Sequence, residues 1–172
     1  MKNIYITGFM GTGKTTVASI LARRLSKDFL EMDEIIEERR GKKISEIFAE
    51  EGQEAFRNLE HQLLKEISGK TDLLVSCGGG LICREDNLKL LKASGIIVSL
   101  TASPAIIYER VKKYTHRPLL DVLDPLSRIK ELLASRQAYY ELADCVIDTN
   151  SRLPEEVADD IESALRKRSL FE

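Results

Sequence analysis

The sequence predicts a single α/β domain spanning residues 1–172, with helices on both faces of a five-stranded parallel sheet in a three-layer α/β/α arrangement. Three observations predict it. Apolar runs of strand length recur at Asn3–Ile6, Phe29–Met32, Leu73–Cys77, Ile96–Leu100 and Cys145–Ile147. Helix-like stretches separate most of them, the alternation that parallel strands with helical crossovers require. The length of 172 residues allows a sizeable core in one domain and is short for two.

In chain order, the first run meets GFMGTGKTTVA, Gly8 to Ala18, and a helix over Lys14–Ser26. The second run leads into helices at Asp33–Arg40 and Ile44–Ile67, and the third ends in SCGGGLI, Ser76 to Ile82. A helix at Arg84–Ala93 precedes the fourth run. Ser103-Pro104 and Asp124-Pro125 mark two helix starts, each placing a capping side chain before a proline at the first helical position. Between them lies KKYTHRPLLDVLD, Lys112 to Asp124, which reads as a lid or binding loop, or as a plain surface connection. A final helix at Pro154–Lys167 follows the fifth run.

Lys and Arg number 26 against 28 Asp and Glu, a net charge of -2. No overall pull toward nucleic acid or an anionic membrane follows, so any anion site is local. The N-terminal MKNIYITG does not read as a signal peptide, and no apolar run approaches membrane-spanning length. A cytoplasmic location is the expectation. Cys77, Cys83 and Cys145 form no CxxC pair and leave an odd count, which argues against a disulfide framework or a zinc site. His61 and His116 lack ligand spacing or a matching nucleophile, which argues against a hydrolase triad.

The spacing Gly8-x4-Gly13-Lys14-Thr15 is a P-loop pattern set between a strand and a helix. Its glycines let backbone N–H groups turn toward a phosphate, and the helix N-terminus adds partial positive charge. Lys14 would reach the outer phosphates and the Thr15 hydroxyl would bind Mg2+. A bare glycine turn would need neither residue at those offsets. Glu31 and Asp33, two apart at a strand end, are expected to point to the same side. One carboxylate could reach Mg2+ through water and the other could accept a hydrogen bond from an attacking hydroxyl. The alternative is that Asp33 only caps the next helix. The three glycines of SCGGG read as a backbone floor under a small polar ligand. Ser76 stands where P-loop proteins often carry a metal-binding Asp, which leaves Glu31 as the candidate. Arg57 and Glu60, three apart on a helix face, read as an ordinary exposed ion pair, although with Phe48 and Phe56 nearby in sequence Arg57 could also line a pocket. Phe48 and Phe56 read as core by periodicity.

Taken together, GFMGTGKTT, the acidic pair ending at Asp33, FRNLE, SCGGG, RPLL, the Arg136 of SRQAYYE and IDTNSRLP resemble the shikimate kinase family nearly end to end. The resemblance implies a nucleoside-monophosphate-kinase-like P-loop fold with strand order 2-3-1-4-5. It implies transfer of the ATP γ-phosphate to the 3-hydroxyl of shikimate, with one Mg2+ per subunit, in the synthesis of chorismate and the aromatic amino acids. Asp33, Arg57, Gly78, Gly79, Gly80 and Arg136 would then bind shikimate, within a helical region at about residues 33–61 and beyond it. Gly11, Thr12, Gly13, Lys14, Thr15 and Thr16 would hold the ATP phosphates. Arg117, in a lid at about 112–124, would stabilise the moving phosphoryl group, while Arg110, Arg152 and Pro154 would flank adenine. Lys14, Asp33 and Arg117 would be catalytic, and Thr15 with Glu31 would serve the metal. Where the family commonly has Asp-x-Asp, this chain has Glu31-Met32-Asp33, so its first carboxylate reaches one methylene further. A monomer is expected. The competing readings are another small-molecule kinase of similar fold, such as a gluconate or nucleoside-monophosphate kinase, and a non-catalytic ATP-binding module.

Overall fold

The computed structural model describes residues 2–113 and 118–167. Five parallel strands, β1 (Asn3–Gly8), β2 (Asp28–Glu31), β3 (Leu73–Ser76), β4 (Gly95–Thr101) and β5 (Cys145–Asp148), form one sheet in the order β2-β3-β1-β4-β5. This is the expected order, and it puts β1 at the centre with β3 and β4 as its partners. Seven helices accompany it among the described residues: α1 (Lys14–Arg24), α2 (Met32–Arg40), α3 (Ile44–Ser68), α4 (Glu85–Ser94), α5 (Pro104–Val111), α6 (Pro125–Tyr140) and α7 (Pro154–Lys167).

Because alternate strand residues face opposite ways, β1 supplies both cores. Ile4 and Ile6 pack with Val17, Ala18 and Leu21 of α1 and Val157, Ile161 and Leu165 of α7. Tyr5, with Val75 and Ile97 of the neighbouring strands, packs with Phe56, Leu63 and Leu64 of α3, Leu91 of α4, Ile107 of α5 and Ile129 of α6. A sheet covered on both faces explains why its strands read as continuous apolar runs.

The expected helix starts hold. The Ser103 hydroxyl accepts from the Ile106 N–H at 3.4 Å, and an Asp124 carboxylate oxygen accepts from the Ser127 N–H at 3.1 Å. Two boundaries differ in consequential ways. The first long helix stops at Arg24, because Ser26 turns left-handed with φ 52° and the Lys27 N–H bonds back to the Ala22 carbonyl. Strand β2 ends at Glu31, and Met32, fully buried, already opens α2. Glu31 and Asp33 are therefore not alternate residues of one strand; Asp33 lies in the first turn of a helix.

Helix α3 is broken at Gly52, whose φ 85° and ψ 170° are open essentially to glycine alone. The segment before the break is fastened to the end of α2 by Arg40–Glu51 at 2.5 Å and to the connection that follows α2 by Lys42–Glu50 at 2.5 Å. The Glu37 carboxylate closes the corner, accepting from the Ile44 N–H at 2.9 Å and from Lys43 at 2.8 Å.

Candidate active site

The loop from β1 to α1 is shaped by backbone needs. Gly8 pairs with Leu100 of β4 at φ +135°, and a Cβ there would collide with the Leu100 carbonyl. Gly13 enters the helix at φ 90° with open space around it, so its requirement is conformational alone. Thr12 is buried, with its hydroxyl donating to the Phe9 carbonyl at 2.7 Å, and Lys14 reaches the same carbonyl at 3.1 Å. The first amides of α1 lack intrahelical acceptors and so present an anion site beside the Lys14 ammonium.

Two cavities open from this loop. One, of about 600 Å³, is lined by Gly11, Gly13, Lys14, Thr15, Thr16, Glu31, Asp33 and Arg110 among others. The second, of about 680 Å³, is lined by Lys14, Asp33, Arg57, Glu60, Gly78, Gly79, Gly80 and Arg136 together with Met10, Phe48 and Phe56. Lys14 and Asp33 belong to both walls.

In the second cavity two guanidinium groups approach one acidic centre. Arg57 pairs with Glu60, which is fully buried, so the ion pair expected to be exposed is buried at its acidic end and open to the cavity at its basic end. Burial pushes the Glu60 carboxyl up to about 7, against the lowering influence of Arg57. Arg57 lies over the Phe56 ring at 5.4 Å and Arg136 over the Phe9 ring at 5.7 Å. These faces favour cations and hold the forks in place. The glycine run has two uses. A Cβ on Gly78 would strike the Glu60 carboxylate, and one on Gly80 would lie 2.5 Å from the Arg57 guanidinium. Gly79 instead packs on the Gly8 carbonyl, so the run admits charged side chains from α3 as well as the backbone of the first loop.

Glu31 stands in register with Ser76 across β2 and β3. Its carboxyl is pushed up by burial, an effect opposed by the nearby Thr15 and Ser76 hydroxyls and, more weakly, by Lys14. Its Oε2 is buried without a hydrogen-bond partner among the described residues. An orphaned carboxylate oxygen beside the Thr15 hydroxyl makes a hard oxygen donor set, which fits Mg2+.

The remaining predicted residues divide between the first cavity, which Arg110 lines, and positions outside both. Arg110 donates to the Gly11 carbonyl at 3.1 Å and to the hydroxyl and carbonyl of Thr149 at 3.0 and 2.7 Å. Arg152 is spent on the Asp148 and Glu156 carbonyls and on Asp160, and Pro154 opens α7; neither lines the two cavities. Thr12 does not line them either. Arg117 lies outside the described residues, as does part of the expected lid. Tyr140, which the sequence reading passed over, reaches the glycine run, its hydroxyl donating to the Gly79 carbonyl at 2.6 Å. Its signal was the four-residue spacing from Arg136, which places both on one helix face.

Residues 10–166 match the family model described as shikimate kinase. The chain is 48% identical to the shikimate kinase of Thermodesulfovibrio yellowstonii over 94% of this chain and 93% of that one. It is 41% identical to the shikimate kinase of Pelotomaculum thermopropionicum over the whole of both. Among solved structures, the shikimate kinase of Acinetobacter baumannii in complex with shikimate matches with a TM-score of 0.95 at 36% identity, covering 99% of this chain and 96% of that one.

Proposed function

The chain belongs to the shikimate kinase family, and we propose a division of labour among its residues for the reaction that this membership entails. It is an ATP-dependent kinase that transfers the γ-phosphate of ATP to the 3-hydroxyl of shikimate, giving shikimate 3-phosphate and ADP on the route to chorismate and the aromatic amino acids.

The observation that carries the proposal is the meeting of the two cavities at Lys14 and Asp33. ATP occupies the cavity at the head of α1, its phosphates on the amides of Gly11 to Thr16. Shikimate occupies the other, its carboxylate taken by Arg57 and Arg136 through charge-assisted bonds. Amides of the run Gly78 to Gly80 and the Asp33 carboxylate take its hydroxyls. At the shared wall Asp33 accepts the hydrogen bond of the attacking hydroxyl, and Lys14 supports negative charge on the phosphoryl group. Arg117 adds late positive charge, an assignment that rests on the RPLL resemblance. Arg110 flanks adenine while tying the phosphate loop to Thr149, with Arg152 and Pro154 shaping the same end.

Thr15 and, through water, Glu31 would hold Mg2+. When bound, the ion neutralises charge on the β- and γ-phosphates. The two arginines favour a carboxylated acceptor over a nucleoside monophosphate, and the intact Lys14 and Asp33 favour catalysis over nucleotide sensing. A monomer in the cytoplasm completes the proposal; among the described residues no helix is long and apolar enough to cross a membrane.

The test is ADP release measured across acceptors. Release should depend on shikimate and fall for an analogue lacking the carboxylate. ATP hydrolysis indifferent to shikimate, or faster with gluconate or a nucleoside monophosphate, would overturn the assignment.

A further inference from the structure

The structure assigns to Tyr140 a positioning role: it holds the Gly79–Gly80 peptide in the orientation that presents the Gly80 N–H to shikimate. The inference rests on the placement of shikimate argued above.

Glycine peptides reorient easily, since neither flanking residue has a Cβ to resist rotation. The Gly79–Gly80 unit is therefore the part of the cavity wall least able to define its own geometry. The Tyr140 hydroxyl supplies the missing constraint, donating to the Gly79 carbonyl at 2.6 Å from a ring that is almost fully buried. No cis peptide occurs among the described residues. In a trans peptide the carbonyl and the following N–H point in opposite directions. Fixing the Gly79 carbonyl toward Tyr140 thus directs the Gly80 N–H away from it. That amide bonds to no backbone acceptor among the described residues, whereas the neighbouring Leu81 and Cys83 amides close the turn onto the Gly78 and Gly80 carbonyls. Gly80 lines the cavity, which leaves its N–H available to a guest there.

The same helix face carries Arg136, one turn earlier and beside the Tyr140 oxygen. Helix α6 therefore sets two features of the cavity at once, the carboxylate-binding fork and the direction of the glycine amide. Burial raises the phenol well above its usual value, so the hydroxyl remains a donor throughout the working pH range.

The experiment compares wild type with Tyr140→Phe, which removes one oxygen and keeps the ring. Calorimetry should show shikimate binding weakened about tenfold, the scale of a buried hydrogen bond that orients a donor. ATP binding should change less than about twofold on the same scale. In nitrogen-labelled protein, the Gly80 amide proton should move downfield when shikimate is added to wild type, and the variant should lose most of that movement. Equal shikimate affinity in the two proteins would overturn the role, and so would an unaltered Gly80 response. A loss shared equally by ATP would mark general loosening and would overturn it too. Wild type that binds no shikimate would overturn this inference together with the placement of the substrate. Wild type that binds it, beside a variant that binds it equally, would overturn the role of Tyr140 alone.

Discussion

Arg57 and Glu60 form an ion pair in which the carboxylate is wholly buried and the guanidinium lines the cavity, leaving the Oε1 of Glu60 without a hydrogen-bond partner among the described residues. Asp33 and Arg136 also act on this carboxyl, Asp33 raising it and Arg136 lowering it, and burial outweighs them to bring it to about 7.

Protonating Glu60 frees the charge of Arg57 for the carboxylate of shikimate. The KM for shikimate should therefore fall as pH is lowered from about 8 to about 6, and Glu60→Gln should flatten the profile. Stability follows the same sign. A folded-state value raised above the ordinary 4.5 contributes stability that is fully present below the unfolded value and lost as pH rises through about 7. Melting temperatures of wild type and Glu60→Gln should diverge across that window, and parallel curves would remove Glu60 as the titrating group.

Arg57→Ala and Arg136→Ala should each weaken shikimate far more than ATP, by about 2–5 kcal/mol, because each removes one of the two charged partners of a buried carboxylate. Titration of both ligands into each variant checks this. Equal losses for ATP would mean that the arginines serve the scaffold.

Glu31→Asp should remain active, whereas Glu31→Gln should require much more Mg2+, since a carboxylate acting through water tolerates a change of length better than a loss of charge. Asp33→Asn should impair shikimate use at every Mg2+ concentration while nucleotide binding persists. Turnover measured against Mg2+ separates the two; rescue of Asp33→Asn by excess metal, with Glu31→Gln indifferent, would exchange their roles.

Gly52→Ala should destabilise the protein by about 1–3 kcal/mol, because the backbone there is one that a Cβ disfavours. A Cβ would meet no atom within 4 Å, so crowding contributes nothing. Chemical denaturation measures the loss. A variant as stable as wild type would mean that the break in α3 can straighten at no cost.

The strands were legible because a sheet buried on both faces needs unbroken apolar runs, and Ile4, Val75 and Val98 supply them. The phosphate loop was legible because its chemistry is local in sequence. Glu31 and Asp33 were correctly paired for an incorrect reason: period two assumes a strand, yet Met32 begins a helix whose first turn carries Asp33. Local pattern does not reveal that change, since Met32 is apolar and buried in either conformation. Glu60 was misread because a charged residue on a helix is ordinarily solvated, and its burial comes from Gly78, far away in sequence, which leaves room for its carboxylate. Tyr140 was missed for a similar reason. Its partner is a backbone carbonyl 61 residues distant, and backbone carbonyls leave no mark in sequence.

The shared wall of Lys14 and Asp33 also bears on inhibitor design. Two guests separated only by these side chains can be joined by a short tether without displacing any fold element. Once one half of such a conjugate is seated, the other experiences an effective concentration in the millimolar range or above when the linker matches the span. A nucleotide fragment coupled at its terminal phosphate to a carboxylated ring should therefore bind far more tightly than either fragment alone, with the tether length that optimises it reporting the distance across which the phosphoryl group travels.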